Sequence, residues 1–248
     1  MISLELHEKL MKKWAKVGRG LYQKPSRRHR LEYFLKFVHH FKGKDVLECG
    51  CNAGLYGYEI SQVAKSYIGV DRGDYYIDQA KITQKYMDNK NVKFICGNVK
   101  DFIKLDLAGK APKYNAFFSS FALYHFRKKE TDRITETVLP KCDVVIISTR
   151  TAKRTPFKQY NPHHFEKPKN VVKYLKDFKC EIFWHDTKKF AIIVGVKNEN
   201  KGSGKGNTKS VGRSTKRQST SRVKKVGADE RLSKRNVKRK NTNAKGND

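Results

Sequence analysis

Asp45-Val46-Leu47-Glu48-Cys49-Gly50-Cys51-Asn52-Ala53-Gly54-Leu55-Tyr56-Gly57 is the stretch that decides the fold. A short apolar run, Val46 and Leu47, leads into an acid and then into glycines at 50, 54 and 57. That order describes a buried strand breaking into a tight loop that passes into a helix, the place where open α/β sheets bind nucleotides. The spacing is G-x3-G-x2-G. It differs from the G-x-G-x-x-G of dinucleotide sites, where backbone N–H groups approach a pyrophosphate. An acid at Glu48 repels phosphate and suits a cationic ligand. The plain alternative is a βα turn whose glycines serve helix–strand packing alone.

Outward from the loop, Tyr58–Lys65 has helical character and Ser66-Tyr67-Ile68-Gly69-Val70-Asp71 reads as a second strand ending in an acid, 17 residues after Gly54. A right-handed crossover puts the ends of both strands on one side. There Asp71, with Arg72 next to it, is positioned to accept the ribose hydroxyls of an adenosine. A helical stretch, Asp74–Asn89, then leads to a third strand that closes on Gly97-Asn98-Val99. The E-x-G-x-x-x-G pattern resembles the first motif of class I S-adenosylmethionine (SAM) dependent methyltransferases. The resemblance covers residues 44–197 and is most specific over 46–71.

That resemblance implies a SAM cofactor held by Glu48, Gly50, the Cys51 backbone, Gly54, Gly57, Asp71, Arg72, Asn98, Val99 and Ser119. Members usually carry an acid where this chain has Asn98. The Asn side-chain carbonyl can still accept from the adenine amino group, or the residue can simply form a turn. A fourth strand, Tyr114–Ser119, begins near Asn115, where an acid is common, and runs into Ser120-Phe121-Ala122-Leu123-Tyr124-His125-Phe126. In the family this segment lies beside the methyl group. His125 is therefore the candidate general base and Tyr124 the residue that orients the acceptor. Neither a D-P-P-Y type motif nor a Lys-Asp-Lys-Glu arrangement is recognisable, so two sharp substrate assignments fall away.

Arg127–Val138 reads as helix, Cys142–Ser148 as an apolar fifth strand of the covered parallel type, and Pro168–Phe178 as helix. Cys180–His185 and Phe190–Val196 alternate around Asp186-Thr187-Lys188-Lys189, a hairpin signal. The expected fold is α/β, a doubly wound, mostly parallel seven-stranded sheet. By resemblance its order is 3-2-1-4-5-7-6 with the last strand antiparallel. Three regions are expected: an N-terminal helical cap (1–42), the SAM-binding domain (43–197) and a disordered basic tail (198–248).

The cap rests on two apolar stripes at helical spacing, one through Leu6, Leu10, Trp14 and Val17, the other through Leu31, Phe34, Leu35, Val38 and Phe41. Such additions in the family cover the cofactor or shape the substrate site. Tyr22 and Arg28 are the candidates to reach the SAM carboxylate or a substrate phosphate. His163 and His164, in an insertion between the fifth strand and the last helix, are candidate substrate contacts. Successive residues of a helix diverge by about 100°, so His39 and His40 are not expected to pair, and no metal site is expected.

The chain has 55 Lys and Arg against 24 acids, a net charge of +31. Seventeen basic residues and four acids lie in 197–248, so about +18 remains outside the tail. The tail has no aromatic residue and too few apolar ones to offset its ordering entropy. Such charge favours polyanions through counterion release, and the expected partner is nucleic acid, met by the tail and the basic surface. No amphipathic anchor accompanies the charge, so a membrane is not expected. Five cysteines (49, 51, 96, 142 and 180) contain no C-x-x-C pair and suit small buried residues in a reducing compartment. With no recognisable signal peptide or spanning segment, the expected location is cytoplasmic. The leading expectation is a SAM-dependent methyltransferase acting on RNA or a nucleic-acid-associated substrate. A small-molecule or glycan methyltransferase whose tail only localises it is the alternative. From another class comes a non-catalytic nucleic-acid-binding protein on a methyltransferase scaffold.

Overall fold

The computed structural model describes residues 1–17, 28–150, 168–187 and 190–198, with the side chains of Tyr124 and Arg150 left aside. Tyr22, His163, His164 and the tail from 199 lie outside the described residues.

Seven strands form one sheet: β1 (Asp45–Cys49), β2 (Ser66–Asp71), β3 (Val92–Cys96), β4 (Ala116–Ser120), β5 (Val144–Arg150), β6 (Phe178–Trp184) and β7 (Phe190–Lys197). Their order is β3-β2-β1-β4-β5-β7-β6. β1 runs parallel to β2 and β4, and the parallel set continues to β3 and β5. β7 is antiparallel to both β5 and β6. The expected doubly wound sheet is therefore the observed one.

Alternation along the strands divides the core into two layers. Val46, Tyr67, Phe118, Ile146 and Ile192 face one side, packed with residues of α1 (Leu4–Trp14), α2 (Arg28–Leu35) and α3 (Leu55–Ser61). Leu47, Ile68, Phe117, Ile147 and Ile193 face the other, against α5 (Val99–Leu107), Ile134, Val138 and Leu139 just after α6 (Lys128–Arg133), and α7 (Pro168–Tyr174). Strands covered on both faces need continuous apolar runs, and β4 (Ala116-Phe117-Phe118) and β5 (Val144-Val145-Ile146-Ile147) have them.

The N-terminal helices share this core. Trp14 is buried, its indole N–H donates to Thr83 Oγ1 at 3.1 Å, and its carbonyl accepts from Gln79 Nε2 at 3.1 Å. Both partners lie on α4 (Asp74–Gln84), and the Thr83 hydroxyl donates in turn to the Ala53 carbonyl at 2.7 Å. One polar chain thus ties α1 to α4 and to the glycine loop. The second apolar stripe does not form one long helix: α2 ends at Leu35 and a 3-10 turn spans Val38–Phe41. The expectation for the adjacent histidines is corrected there. His39 and His40 lean together with ring centroids 4.2 Å apart. The angular separation of a continuing helix does not govern an isolated turn. Burial and then His39 push the His40 pKa below its usual value. Among the described residues no group of three His, Cys, Asp or Glu side chains is placed to hold a metal ion.

Candidate active site

The C-terminal ends of β1 to β5 form one rim. At the end of β1 the chain enters the left-handed region at Gly50 (φ +82°), Asn52 (φ +50°) and Gly54 (φ +75°). A Cβ on Gly50 would lie 2.3 Å from that of Ala122, so the loop and the β4 exit approach only because this residue is glycine. Gly57 serves a different purpose: a Cβ there would meet the Tyr67 ring at 2.5 Å. The N–H groups of Gly50 and Cys51 both donate to the Val70 carbonyl, at 2.8 and 3.2 Å. The Cys51 N–H therefore closes the β1–β2 junction, so this backbone donor, expected to address the cofactor, already has a partner in Val70.

Asp71 holds the rim together. Its Oδ2 accepts from the Asn52 N–H at 2.9 Å and its Oδ1 from the Gly73 N–H at 3.0 Å. One half-buried carboxylate thus braces the loops after β1 and β2, each oxygen keeping lone-pair capacity for a further donor. Arg72 beside it is exposed.

Glu48 lies under this loop, fully buried between Gly69 and Phe118 of the flanking strands. The Tyr67 hydroxyl donates to its Oε2, and its Oε1 has no hydrogen-bond partner among the described residues. Burial pushes its pKa from the usual 4.5 up to about 8, against a smaller lowering by the Tyr67 bond. The acid expected to present a negative charge is instead neutral at pH 7 until a cation reaches it. Tyr67 was not foreseen, although a tyrosine in a buried strand signals a polar partner for its hydroxyl.

Other expected site residues have structural partners. Asn98 is the N-cap of α5, its Oδ1 accepting from the N–H groups of Lys100 and Asp101 at 2.8 and 3.1 Å. That oxygen is the acceptor the sequence reading assigned to adenine; helix capping uses it, and the amide N–H₂ remains on an exposed side chain. Replacing Asn98 with Ala should lower stability by about 1 kcal/mol, while Asp should retain the cap; urea melts of both variants check this. Val99 begins α5 and is buried. Ser119 is fully buried and donates to the Cys49 carbonyl at 2.9 Å, locking β4 to β1 beneath the rim. Arg28 bonds Glu32 at 3.1 Å and the Ile2 carbonyl at 2.6 Å, tying α2 to the N-terminal segment.

Cys49, Cys51 and Cys142 are buried, and burial pushes all three thiols up, Cys142 to about 12. They are inert packing residues. Cys96, at the C-terminal end of β3, is exposed, which corrects the expectation of burial for that one.

Arg30, two residues beyond Arg28, is the arginine that reaches the rim. Its guanidinium lies 4.7 Å above the Phe121 ring, and its charge acts on the Tyr56 hydroxyl. Phe121 follows β4 directly and has φ +55°, a conformation costly for a bulky side chain. Its N–H donates to the Ser148 carbonyl of β5 at 3.1 Å. The 3-10 turn Leu123–His125 comes next and leaves His125 exposed. Tyr124 stands in the same turn.

No protein-family model matches the chain, and no curated protein matches it. Solved structures do. The DhpI–S-adenosylhomocysteine (SAH) complex is 17% identical, with 80% of this chain and 100% of that chain covered at a TM-score of 0.54. Magnesium protoporphyrin IX methyltransferase (ChlM) from Synechocystis PCC 6803 with bound SAM is 16% identical, covering 76% and 91% at 0.53. The N-methyltransferase NodS from Bradyrhizobium japonicum WM9 is 12% identical, covering 71% and 98% at 0.55. The fold is that of the SAM-dependent methyltransferases.

In the methyltransferase fold observed here the strand order reverses between β1 and β4, and ligands of open α/β sheets lie at such a switch point. Gly50, Asp71, Ala122 and Phe121 converge there, with Glu48 below. Asn115 lies at the opposite end of the sheet. Its Oδ1 accepts from the Asp45 N–H at 2.9 Å and its Nδ2 donates to Asp143 at 3.3 Å. Its departure from the family pattern is a matter of strand-edge hydrogen bonding and does not touch the rim.

Proposed function

We propose that this protein is a SAM-dependent methyltransferase whose acceptor is RNA or a substrate carried on RNA. The observation that carries the cofactor assignment is Glu48, a fully buried acid with one oxygen unpartnered among the described residues, below the switch point. An orphaned buried oxygen is unfavourable, and a cationic ligand resolves it by ionising the acid. Asp71 would take the ribose hydroxyls with the lone pairs its backbone bonds leave. The Asn98 amide, its carbonyl used in capping, would donate to a ring nitrogen of the adenine. SAM, when bound, supplies an electrophilic methyl group on a sulfonium.

The chain's own contribution to transfer is alignment and exclusion of water. The Gly50–Ala122 approach narrows the gap between the β1 and β4 loops. An O–H or ring N–H acceptor also needs its proton removed, and His125, on the turn after β4, is the candidate base with Tyr124 orienting the acceptor. RNA is supported by a net charge of +31, of which about +18 lies outside the tail. One structural neighbour, the magnesium protoporphyrin IX methyltransferase, favours a second reading, a small-molecule acceptor.

Calorimetric titration with SAM tests the cofactor; no heat of binding would support the non-catalytic scaffold instead. Methyl transfer from labelled SAM to total RNA should fall at least about tenfold between roughly 50 and 200 mM salt, and on deletion of 198–248. Salt-indifferent transfer to a metabolite fraction would establish the small-molecule reading.

A further inference from the structure

Beyond the cofactor crevice, the rim carries a group of rings that the methyl-transfer chemistry alone does not require. β7 runs antiparallel to β5, with Phe190 opposite Arg150, so the β6–β7 hairpin turns at the same end of the sheet as the β4 exit. Phe190 is buried and sits 5.6 Å, edge to face, from the strained Phe121. His185 stacks on Phe190 at 4.3 Å with 24° between the planes. From α2, the exposed His29 lies 5.8 Å from His185, tilted by 57°. Tyr33 stands edge-on to both, 5.0 Å from His185 and 5.6 Å from Phe190, and its hydroxyl fixes α2 to the hairpin through the Trp184 carbonyl at 2.8 Å. Arg30 caps the cluster over Phe121.

Two separate elements, a helix and a hairpin, therefore converge on a backbone position held in an unfavourable conformation. Strain of about 1–3 kcal/mol at such a residue persists only where the surroundings over-determine it. What they hold is a stacked group: the buried Phe190 backs the His185 imidazole and Phe121 backs the Arg30 guanidinium, with the exposed His29 alongside. Imidazole rings and guanidinium planes are the groups on which unstacked bases lie in single-stranded nucleic acids, with cationic residues following the backbone. Thr187 engages His185 Nδ1 through its N–H at 3.3 Å and its Oγ1 at 2.9 Å, which leaves Nε2 as the ring nitrogen Thr187 does not occupy.

We propose that His29, Arg30 and His185, backed by Tyr33, Phe121 and Phe190, form the acceptor platform, on which an unstacked nucleobase of single-stranded RNA lies flat. This deepens the methyltransferase reading and rests on it for the nature of the acceptor, though base stacking is measurable without methyl transfer.

The test uses the full chain, with and without SAH, and two labelled probes of equal length: a single-stranded oligoadenylate of about six nucleotides and its abasic counterpart. At equal salt the base-bearing probe should bind at least about tenfold more tightly. His185→Ala should reduce that difference to within about twofold. His29→Ala, at an exposed position that leaves the core intact, should reduce it about threefold. Neither variant should alter SAH affinity. Equal binding of the two probes, or a difference unchanged in both variants, overturns the platform. Failure of SAH to bind overturns the cofactor reading alone, because the comparison of probes without SAH still decides this one.

Discussion

Asp71→Ala is expected to weaken SAM binding by a factor of about 100 or more, with a melting temperature lowered even without ligand. The carboxylate accepts backbone N–H groups from Asn52 and Gly73, one on each oxygen. Hydrogen bonds to a charged group contribute roughly 1.5–3 kcal/mol each when buried, less here because the side chain is half-exposed. Asn52 is held at φ +50° in part by that bond, so its release lets the loop relax away from the rim. The ribose would lose both acceptors in the same step. Asp71→Asn keeps one acceptor oxygen but turns an N–H₂ toward a backbone donor, and should fall between Ala and wild type. Asp74→Asn, at the exposed start of α4, is the control and should bind normally. Calorimetry with SAM and SAH reads all three. A dissociation constant for Asp71→Ala within about threefold of wild type would remove the ribose role.

Glu48→Gln is expected to do two opposite things. With a folded-state pKa of about 8 against the usual 4.5, the native protein holds one proton more than the unfolded chain between those values. The stability associated with the neutral acid is full below pH 4.5, is lost as pH rises towards 8, and is level beyond. The slope inside that window is about 1.4 kcal/mol per pH unit, so the loss amounts to roughly 3–5 kcal/mol. Gln keeps the shape, accepts from Tyr67, and has no proton to lose. The variant should therefore melt close to wild type at pH 5 and well above it at pH 8.5. At pH 7.5 it should bind SAM about tenfold more weakly, because a neutral amide cannot answer a cation. Parallel melting curves for the two proteins across this range would reject the buried titration. Unchanged SAM affinity would instead separate Glu48 from the cofactor.

Much of the fold was legible because its determinants are local or periodic. Short apolar runs ending in Glu48 and Asp71, and an alternating stretch ending at Asn98, mark parallel strands, and the break at Gly50 and Gly54 marks the first crossover. The hairpin around Asp186 followed from alternation on both sides of a polar turn. The candidate site was legible in part. Asp71 is where strand length puts it. Ser119 and the Cys51 N–H are at the rim by sequence but turned into strand–strand bonds, a matter of side-chain and carbonyl direction that spacing does not carry.

The two arginines of α2 show where the boundary lies. Arg28 and Arg30 flank the buried stripe of Leu31 and Phe34 from opposite sides, and periodicity treats them alike. Which flank meets the rim depends on how α2 lies against β4 and the hairpin, and only the packed structure assigns Arg30 to Phe121 and Arg28 to Glu32. The sequence by itself determined the order of strands and helices, the loop glycines and the excess of positive charge, since each is written in neighbouring residues. Tertiary structure decided that Glu48 is neutral, that the Asn98 carbonyl caps a helix, and that His29, Arg30, Tyr33, Phe121, His185 and Phe190 meet in one cluster. These depend on desolvation and contact between segments far apart in the chain, and both come into being only when the layers close.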